Sequence, residues 1–259
     1  MKIVSIGNSF SVNMQRFAHQ VAAAAGQELT VVNAYHGGCT MLMHARFYRE
    51  EAPAYRHDKN GEILRKDVTL QSILSSDEFD FVTLQPGTKG WREEGRVPDN
   101  EPYIYELIGA AKRFQPRAEI VYNHYWADAD DCARPVFTEF FGASRDKMRA
   151  WWQAYADRAA AIPEIGYINP CGRAVDNAYP LFGGRLYKDG YHLSPAGEYL
   201  QALVWTEFFT GAAPGGFVPE EVAALLTDGE AAALQKAARA AVLSAKRTPG
   251  REKKGGDGA

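Results

Sequence analysis

Cysteine is scarce: the 259 residues hold three, Cys39, Cys132 and Cys171, with no CxxC pair and no metal-ligand spacing. A disulfide framework is therefore not expected. No apolar run approaches the roughly 18 residues that a membrane span requires. Met1 to Gly7 carries one basic residue and too short an apolar stretch for a secretory leader, so the chain reads as cytoplasmic, without a membrane partner. Charge of one sign is also missing. Lys and Arg number 29 against 32 Asp and Glu, a net charge of −3, and five of those basic residues sit in the last sixteen positions. The body is thus mildly acidic and offers no footprint for a phosphate backbone, which argues against nucleic acid as a partner. Absent too are a GxSxG elbow, a Walker A loop, a GxGxxG fingerprint and an HExxH pair, so nucleotide-dependent chemistry and zinc proteolysis are not expected.

What is present is an ordinary globular composition, 46% hydrophobic and 24% charged. Short apolar runs at Ile3–Ile6, Leu29–Ala34, Phe79–Leu84, Ala118–Tyr122 and Ile165–Asn169 read as five strands. Helix-forming segments lie between them: Met14–Ala25, residues 102–114 and Ala143–Ala161. Ile104, Leu107, Ile108, Ala111 and Phe114 fall on one helical face. Ser194-Pro195 starts another helix, reaching about Phe209, with serine as cap and proline in the first turn. Pro219 to Ala245 reads as one long helix or two broken near Gly229. Alternating strands and helices imply a parallel sheet covered on both faces. The expected fold is a three-layer α/β/α sandwich with a mostly parallel five-stranded sheet in flavodoxin-like order. Residues 1–243 form the domain, with an insertion at about 41–71 in which Asp58-Lys59-Asn60-Gly61 has hairpin-turn composition. Residues 244–259 read as a disordered tail.

In an open parallel sheet, ligands bind beyond the carboxyl ends of the strands. Ser9 follows the first strand, Gly37-Gly38 the second and Gln85 the third. Asp189-Gly190-Tyr191-His192 precedes the last core helix and could reach the same edge. A serine hydroxyl becomes a nucleophile when a neutral histidine takes its proton, and a carboxylate holds that histidine in the right tautomer. A tetrahedral oxyanion needs converging donors, here the Ser9 N–H, the Gly38 N–H and the Gln85 side-chain amide.

These blocks resemble the SGNH (GDSL-like) hydrolase superfamily, in a branch whose first block reads Gly7-Asn8-Ser9. The resemblance runs from residue 2 to about residue 210. It implies Ser9 as nucleophile, Gly37-Gly38-Cys39-Thr40 as the second block with Gly38 as oxyanion donor, and Asp189 and His192 as the rest of the triad. The family's third block normally reads GxND, whereas this chain has Leu84-Gln85-Pro86-Gly87, with glutamine in place of the asparagine donor. Asn8 replaces the usual aspartate. The implied activity is hydrolysis of a carboxylic ester through an acyl-enzyme, with no metal or organic cofactor; an acetylated carbohydrate is the first substrate guess. Trp91, Tyr125 and Trp126 follow the third and fourth strands and could form an apolar or sugar-stacking wall.

Simpler roles compete. Ser9 could cap the first helix, Asp189-Gly190 could be only a turn, His192 a hydrogen-bonded loop histidine, and Gln85 a partner for loop backbone. The aromatics could be core or lid packing. A non-catalytic carbohydrate-binding module and an acyltransferase to a sugar hydroxyl are the alternatives to a hydrolase. His124, Asp128, Asp130 and Asp131 resemble a metal cluster by composition but read as a solvated acidic turn. Trp151-Trp152 reads as structural, and Cys39 as a packed residue. Oligomeric state is not legible.

Overall fold

The computed structural model describes residues 1–88 and 102–245. One sheet contains β1 (Lys2–Gly7), β2 (Thr30–Tyr35), β3 (Tyr55–Lys59), β4 (Glu62–Val68), β5 (Phe81–Leu84), β6 (Glu119–Asn123) and β7 (Ile165–Asn169). Their order is β4-β3-β2-β1-β5-β6-β7. The five strands from β2 to β7 in that order run parallel, with β1 between β2 and β5. This is the doubly wound 2-1-3-4-5 order.

The sheet has seven strands rather than the expected five, because residues 41–71 do more than interrupt the alternation. They form α3 (Met41–Arg49) and then the antiparallel pair β3–β4, which adds to the edge of β2. In β4 the apolar pair Ile63-Leu64 is followed by the charged run Arg65-Lys66-Asp67, and the strand is exposed on both faces, so it carries no alternating pattern. Charges on an edge strand discourage pairing with another chain.

Side chains alternate across the central strands. Ile3, Val31 and Val121 pack into one apolar layer. Val4, Ile6, Val32, Val82, Leu84, Ile120 and Tyr122 pack into the other. α2 (Ala18–Ala24), α7 (Cys171–Phe182), α8 (Pro195–Thr210) and α10 (Asp228–Ser244) supply the first layer, through residues such as Val21, Val175, Leu203 and Leu234. α3, α4 (Leu70–Leu74) and α5 (Tyr103–Phe114) supply the second, and Ile104, Leu107, Ile108 and Ala111 face it as their spacing requires. α6 (Arg145–Ala160) touches both layers, Met148 and Trp152 on one side and Ala156 and Ala159 on the other.

Three helical segments differ from the sequence expectation. The segment expected as one helix from Met14 is two, α1 (Ser9–Gln15) and α2, parted at Arg16-Phe17. The C-terminal segment breaks before Thr227, not at Gly229: α9 (Glu220–Ala223) ends early, and Thr227 forms a capping box with Glu230 that starts α10. The sequence pattern does not anticipate α7. Pro180 lies inside it, and a proline in a helix interior removes a hydrogen bond, so its presence argues against a helix. Ser244 closes α10, while residues 246–259 and Trp91 lie outside the described residues. Among the described residues no helix is long and apolar enough to cross a membrane.

Candidate active site

Ser9 is the first residue of α1, and Asn8 rather than Ser9 caps that helix. The Asn8 backbone is extended, and its Oδ1 accepts from the Phe10 N–H at 3.0 Å. The competing role for Ser9 is thereby taken by its neighbour, and the Ser9 hydroxyl is left to another partner. That partner is His192: Nε2 lies 2.8 Å from Ser9 Oγ across 183 positions of sequence.

The histidine is held by a short loop after β7 and α7. Tyr187 and Leu193 bridge in antiparallel fashion, and the Lys188 N–H donates to the His192 carbonyl at 2.9 Å. Asp189 does two jobs in this loop. Its Oδ1 accepts from the Tyr191 and His192 N–H groups at 3.2 and 2.7 Å, closing the turn. Its Oδ2 lies 2.7 Å from His192 Nδ1. The turn-forming and chemical readings of Asp189 are thus compatible. Burial pushes its carboxyl up, but the hydrogen bonds from the His192 ring and from the two backbone N–H groups outweigh burial and hold it below its ordinary value. Asn13, one turn beyond Ser9 on α1, receives the Leu193 N–H at 3.2 Å and donates to Glu198 at 2.7 Å. The helix that carries Ser9 and the loop that carries His192 are therefore tied directly to each other.

Gly38 stands on the facing loop with φ +67°, a conformation that glycine adopts without strain. Among the described residues neither the Ser9 N–H nor the Gly38 N–H meets an acceptor. The first N–H groups of a helix lack intrahelical partners, and such groups are natural anion donors. Asn8, Ser9, Phe10, Gly38, Gly87, Thr88, Tyr125, Arg134, Tyr191 and His192 enclose one cavity of ≈ 290 Å³.

Gln85 is not among these lining residues. It is buried, and its Nε2 donates to Asn8 Oδ1 at 2.6 Å instead of pointing to the cavity. The Asn8 amide in turn donates to the Cys39 carbonyl at 2.9 Å and the Pro86 carbonyl at 3.3 Å. The structure thus places Gln85 under the site, as a prop for Asn8, which draws the loops after β1, β2 and β5 together. Trp126 is likewise absent from the cavity: it is fully buried, stacks near Phe10 and Tyr125, and donates from Nε1 to the Tyr191 carbonyl at 2.9 Å. Of the three aromatics expected as a wall, Tyr125 alone is placed by the described residues at the cavity.

The acidic stretch after β6 is not simply a solvated turn. Asp130 and Asp131 are exposed, but Asp128 is fully buried. Its carboxylate receives Arg134 Nη2 at 2.7 Å and Nε at 2.9 Å. A buried carboxylate calls for such a partner. His124 is also buried, and burial, reinforced by Arg173, lowers its pKa to about 4. Among the described residues no three His, Cys, Asp or Glu side chains converge as metal ligands. Burial pushes the Cys132 thiol up to about 11, away from the thiolate, and Cys39 is buried. Sequence reasoning missed Arg134 and Asn13, because neither lies in a periodic or motif-like context. Phe10 and Tyr191, beside Ser9 and His192, carried the signal of adjacency.

The chain is structurally similar to a DUF4886 family protein from Bacteroides uniformis, with TM-score 0.80 and 25% identity over 94% of this chain and 95% of that one. A family 3 carbohydrate esterase from Clostridium thermocellum superposes with TM-score 0.51 at 14% identity, covering 82% of this chain and 96% of that one. Another, from Talaromyces cellulolyticus, gives TM-score 0.51 at 13% identity, covering 82% and 97%. These two likenesses concern the fold alone. No curated protein matches the sequence. The family model for a domain of unknown function, DUF4886, matches residues 2–240, nearly the whole described chain, and the protein belongs to that family.

Proposed function

We propose that the protein hydrolyses a carboxylic ester through an acyl-enzyme formed on Ser9. The observation that carries this reading is the unbroken chain from Ser9 Oγ to His192 Nε2, 2.8 Å, and from His192 Nδ1 to Asp189 Oδ2, 2.7 Å, opening on a cavity. In this scheme His192 Nε2 takes the hydroxyl proton as Ser9 Oγ attacks the carbonyl carbon. The Ser9 and Gly38 N–H groups receive the developing oxyanion. The intermediate collapses, the alcohol leaves with the proton from His192, and the acyl group stays on Ser9. Water then attacks with His192 again as base, releasing the acid and restoring the serine. Asp189, ionised across the neutral range, fixes the ring with Nε2 toward the serine and stabilises the imidazolium when it forms. An acetylated carbohydrate remains the favoured substrate. The family 3 carbohydrate esterases of the same fold are in keeping with that choice.

The test is Ser9→Ala on short acyl esters of p-nitrophenol. Turnover should fall by about 10⁴-fold or more, leaving the residual that binding and the oxyanion donors supply. A fluorophosphonate probe should label wild-type protein at Ser9; sugar binding without labelling would instead indicate a binding module. Product analysis with added sugar separates hydrolysis from acyl transfer, because either acceptor attacks the same intermediate.

A further inference from the structure

The cavity that holds Ser9 and His192 also holds a guanidinium whose donors the described residues leave partly unused. Arg134 commits Nε and one hydrogen of Nη2 to Asp128, and one hydrogen of Nη1 to Thr88 Oγ1 at 3.2 Å. A guanidinium has five N–H donors, so one hydrogen remains on each terminal nitrogen. The plane is fixed as well as the charge. The Arg134 guanidinium lies over the Tyr191 ring, 4.6 Å from its centroid, and Tyr191 is the neighbour of His192. The Asp128 behind it is fully buried, so the arginine is anchored from the rear and its front edge belongs to the cavity.

We propose that Arg134 is the substrate-positioning and specificity-determining residue of this site, donating to hydroxyl or ring oxygens of a neutral, oxygen-rich alcohol such as a sugar. This rests on the esterase reading and adds the residue that would hold the alcohol and the preference for a neutral over an acidic one. Charge decides for a neutral partner over an anionic one. Among the described residues Arg134 is the one charged side chain lining the cavity, and its charge is cancelled by Asp128. Asp189, immediately behind His192, adds a second negative charge. Among the described residues the fixed charges of Arg134, Asp128 and Asp189 sum to net negative, which disfavours a carboxylate while leaving oriented N–H donors for uncharged oxygens. Tyr191 and Tyr125 line the same space and give it an apolar side.

The experiment compares mono-O-acetyl methyl glucoside, mono-O-acetyl methyl glucuronoside and p-nitrophenyl acetate in wild type, Arg134→Lys and the double variant Arg134→Met/Asp128→Asn. The double variant removes both buried charges together, so no carboxylate is stranded. Circular dichroism and thermal melting establish that each is folded. The ratio of kcat/KM on the glucoside to kcat/KM on p-nitrophenyl acetate should fall about tenfold in both variants, mainly through KM. In a Ser9→Ala background, which removes turnover, Kd for the glucoside should rise by a similar factor on Arg134→Lys. A ratio and a Kd that stay within twofold in a folded variant overturn the assignment, and so does preference for the glucuronoside. Failure of the esterase reading shows separately, as p-nitrophenyl acetate hydrolysis that survives Ser9→Ala.

Discussion

At the scale of single residues the site is braced by a few buried amides. Asn8 accepts from Phe10 and Gln85 and donates to the carbonyls of Cys39 and Pro86, so both ends of its side chain are spoken for. Asn8→Asp, which restores the residue more usual in the resembled superfamily, is not conservative here. It keeps the cap but turns a donor into an acceptor facing two carbonyl oxygens. The expected result is a loss of about 1–3 kcal/mol in urea unfolding, with turnover reduced by displacement of the Gly38 loop. Gln85→Ala should destabilise by a similar amount, since it strips a partner from Asn8 and from Asn123. If Gln85 acted as an oxyanion donor, the same variant would instead lower kcat about a hundredfold at unchanged stability. Kinetics and denaturation measured on one preparation separate the two roles.

At the scale of elements, the β3–β4 hairpin shows how one dipeptide sets a register. Asn60 and Gly61 have φ of +51° and +87°, the left-handed pair of a two-residue turn matched to strand twist. Asn60 also bonds beyond the hairpin: its N–H donates to the Val31 carbonyl at 2.8 Å, and its Oδ1 accepts from the Val31 N–H at 2.9 Å. The turn is thus stitched to β2. No atom lies within 4 Å of a Cβ built on Gly61, so Gly61→Ala meets strain but no clash. It should lower stability by about 1 kcal/mol, measured as a shifted denaturation midpoint with unchanged slope. Asn60→Ala should cost more, because Val31 then loses a partner in addition.

For the molecule as a whole, buried histidines make stability depend on acid: His44 and His124 are shifted furthest, and burial lowers His57 as well. Burial, reinforced by the charge of His36, lowers His44 to about 3, and burial with Arg173 lowers His124 to about 4. Each ring sits inside the protein, and its Nε2 has no hydrogen-bond partner among the described residues. In the unfolded chain both titrate near their ordinary value, about 6.5. Above that pH they are neutral in both states and contribute no slope. Below it the unfolded state takes up protons that the folded state refuses, so stability falls as pH drops, down to about 4 for His124 and about 3 for His44. Asp189, held below its ordinary value, loses its contribution only at lower pH still, as its own carboxylate protonates. Each histidine contributes about 1.4 kcal/mol per pH unit within its window. Urea midpoints at pH 7, 6 and 5 should fall progressively, and His44→Phe should make the fall shallower without abolishing it, since His124 and His57 remain. A midpoint constant from pH 7 to 5 would contradict the burial of these rings.

The strands at residues 3–6, 29–34, 79–84, 118–122 and 165–169 could be read from the chain because a buried parallel strand needs a short continuous apolar run. Ser9, Gly38, Asp189 and His192 could be read for a related reason: each lies in a local block beside such a strand or helix start. The exposed hairpin hid because its outer strand is exposed on both faces, and α7 hid behind Pro180. Gln85 and Trp126 stood in the right loops, yet their direction depends on neighbours that the sequence does not name. The ties from Arg134 to Asp128 and from Asn13 to Leu193 were equally invisible. A hydrogen bond is a matter of a few ångströms and a suitable angle, and between distant segments the packing of helices on the sheet decides both. Local chemistry therefore specified which groups stand at the strand ends, and the folded layers decided which of them face the cavity and which brace it from below.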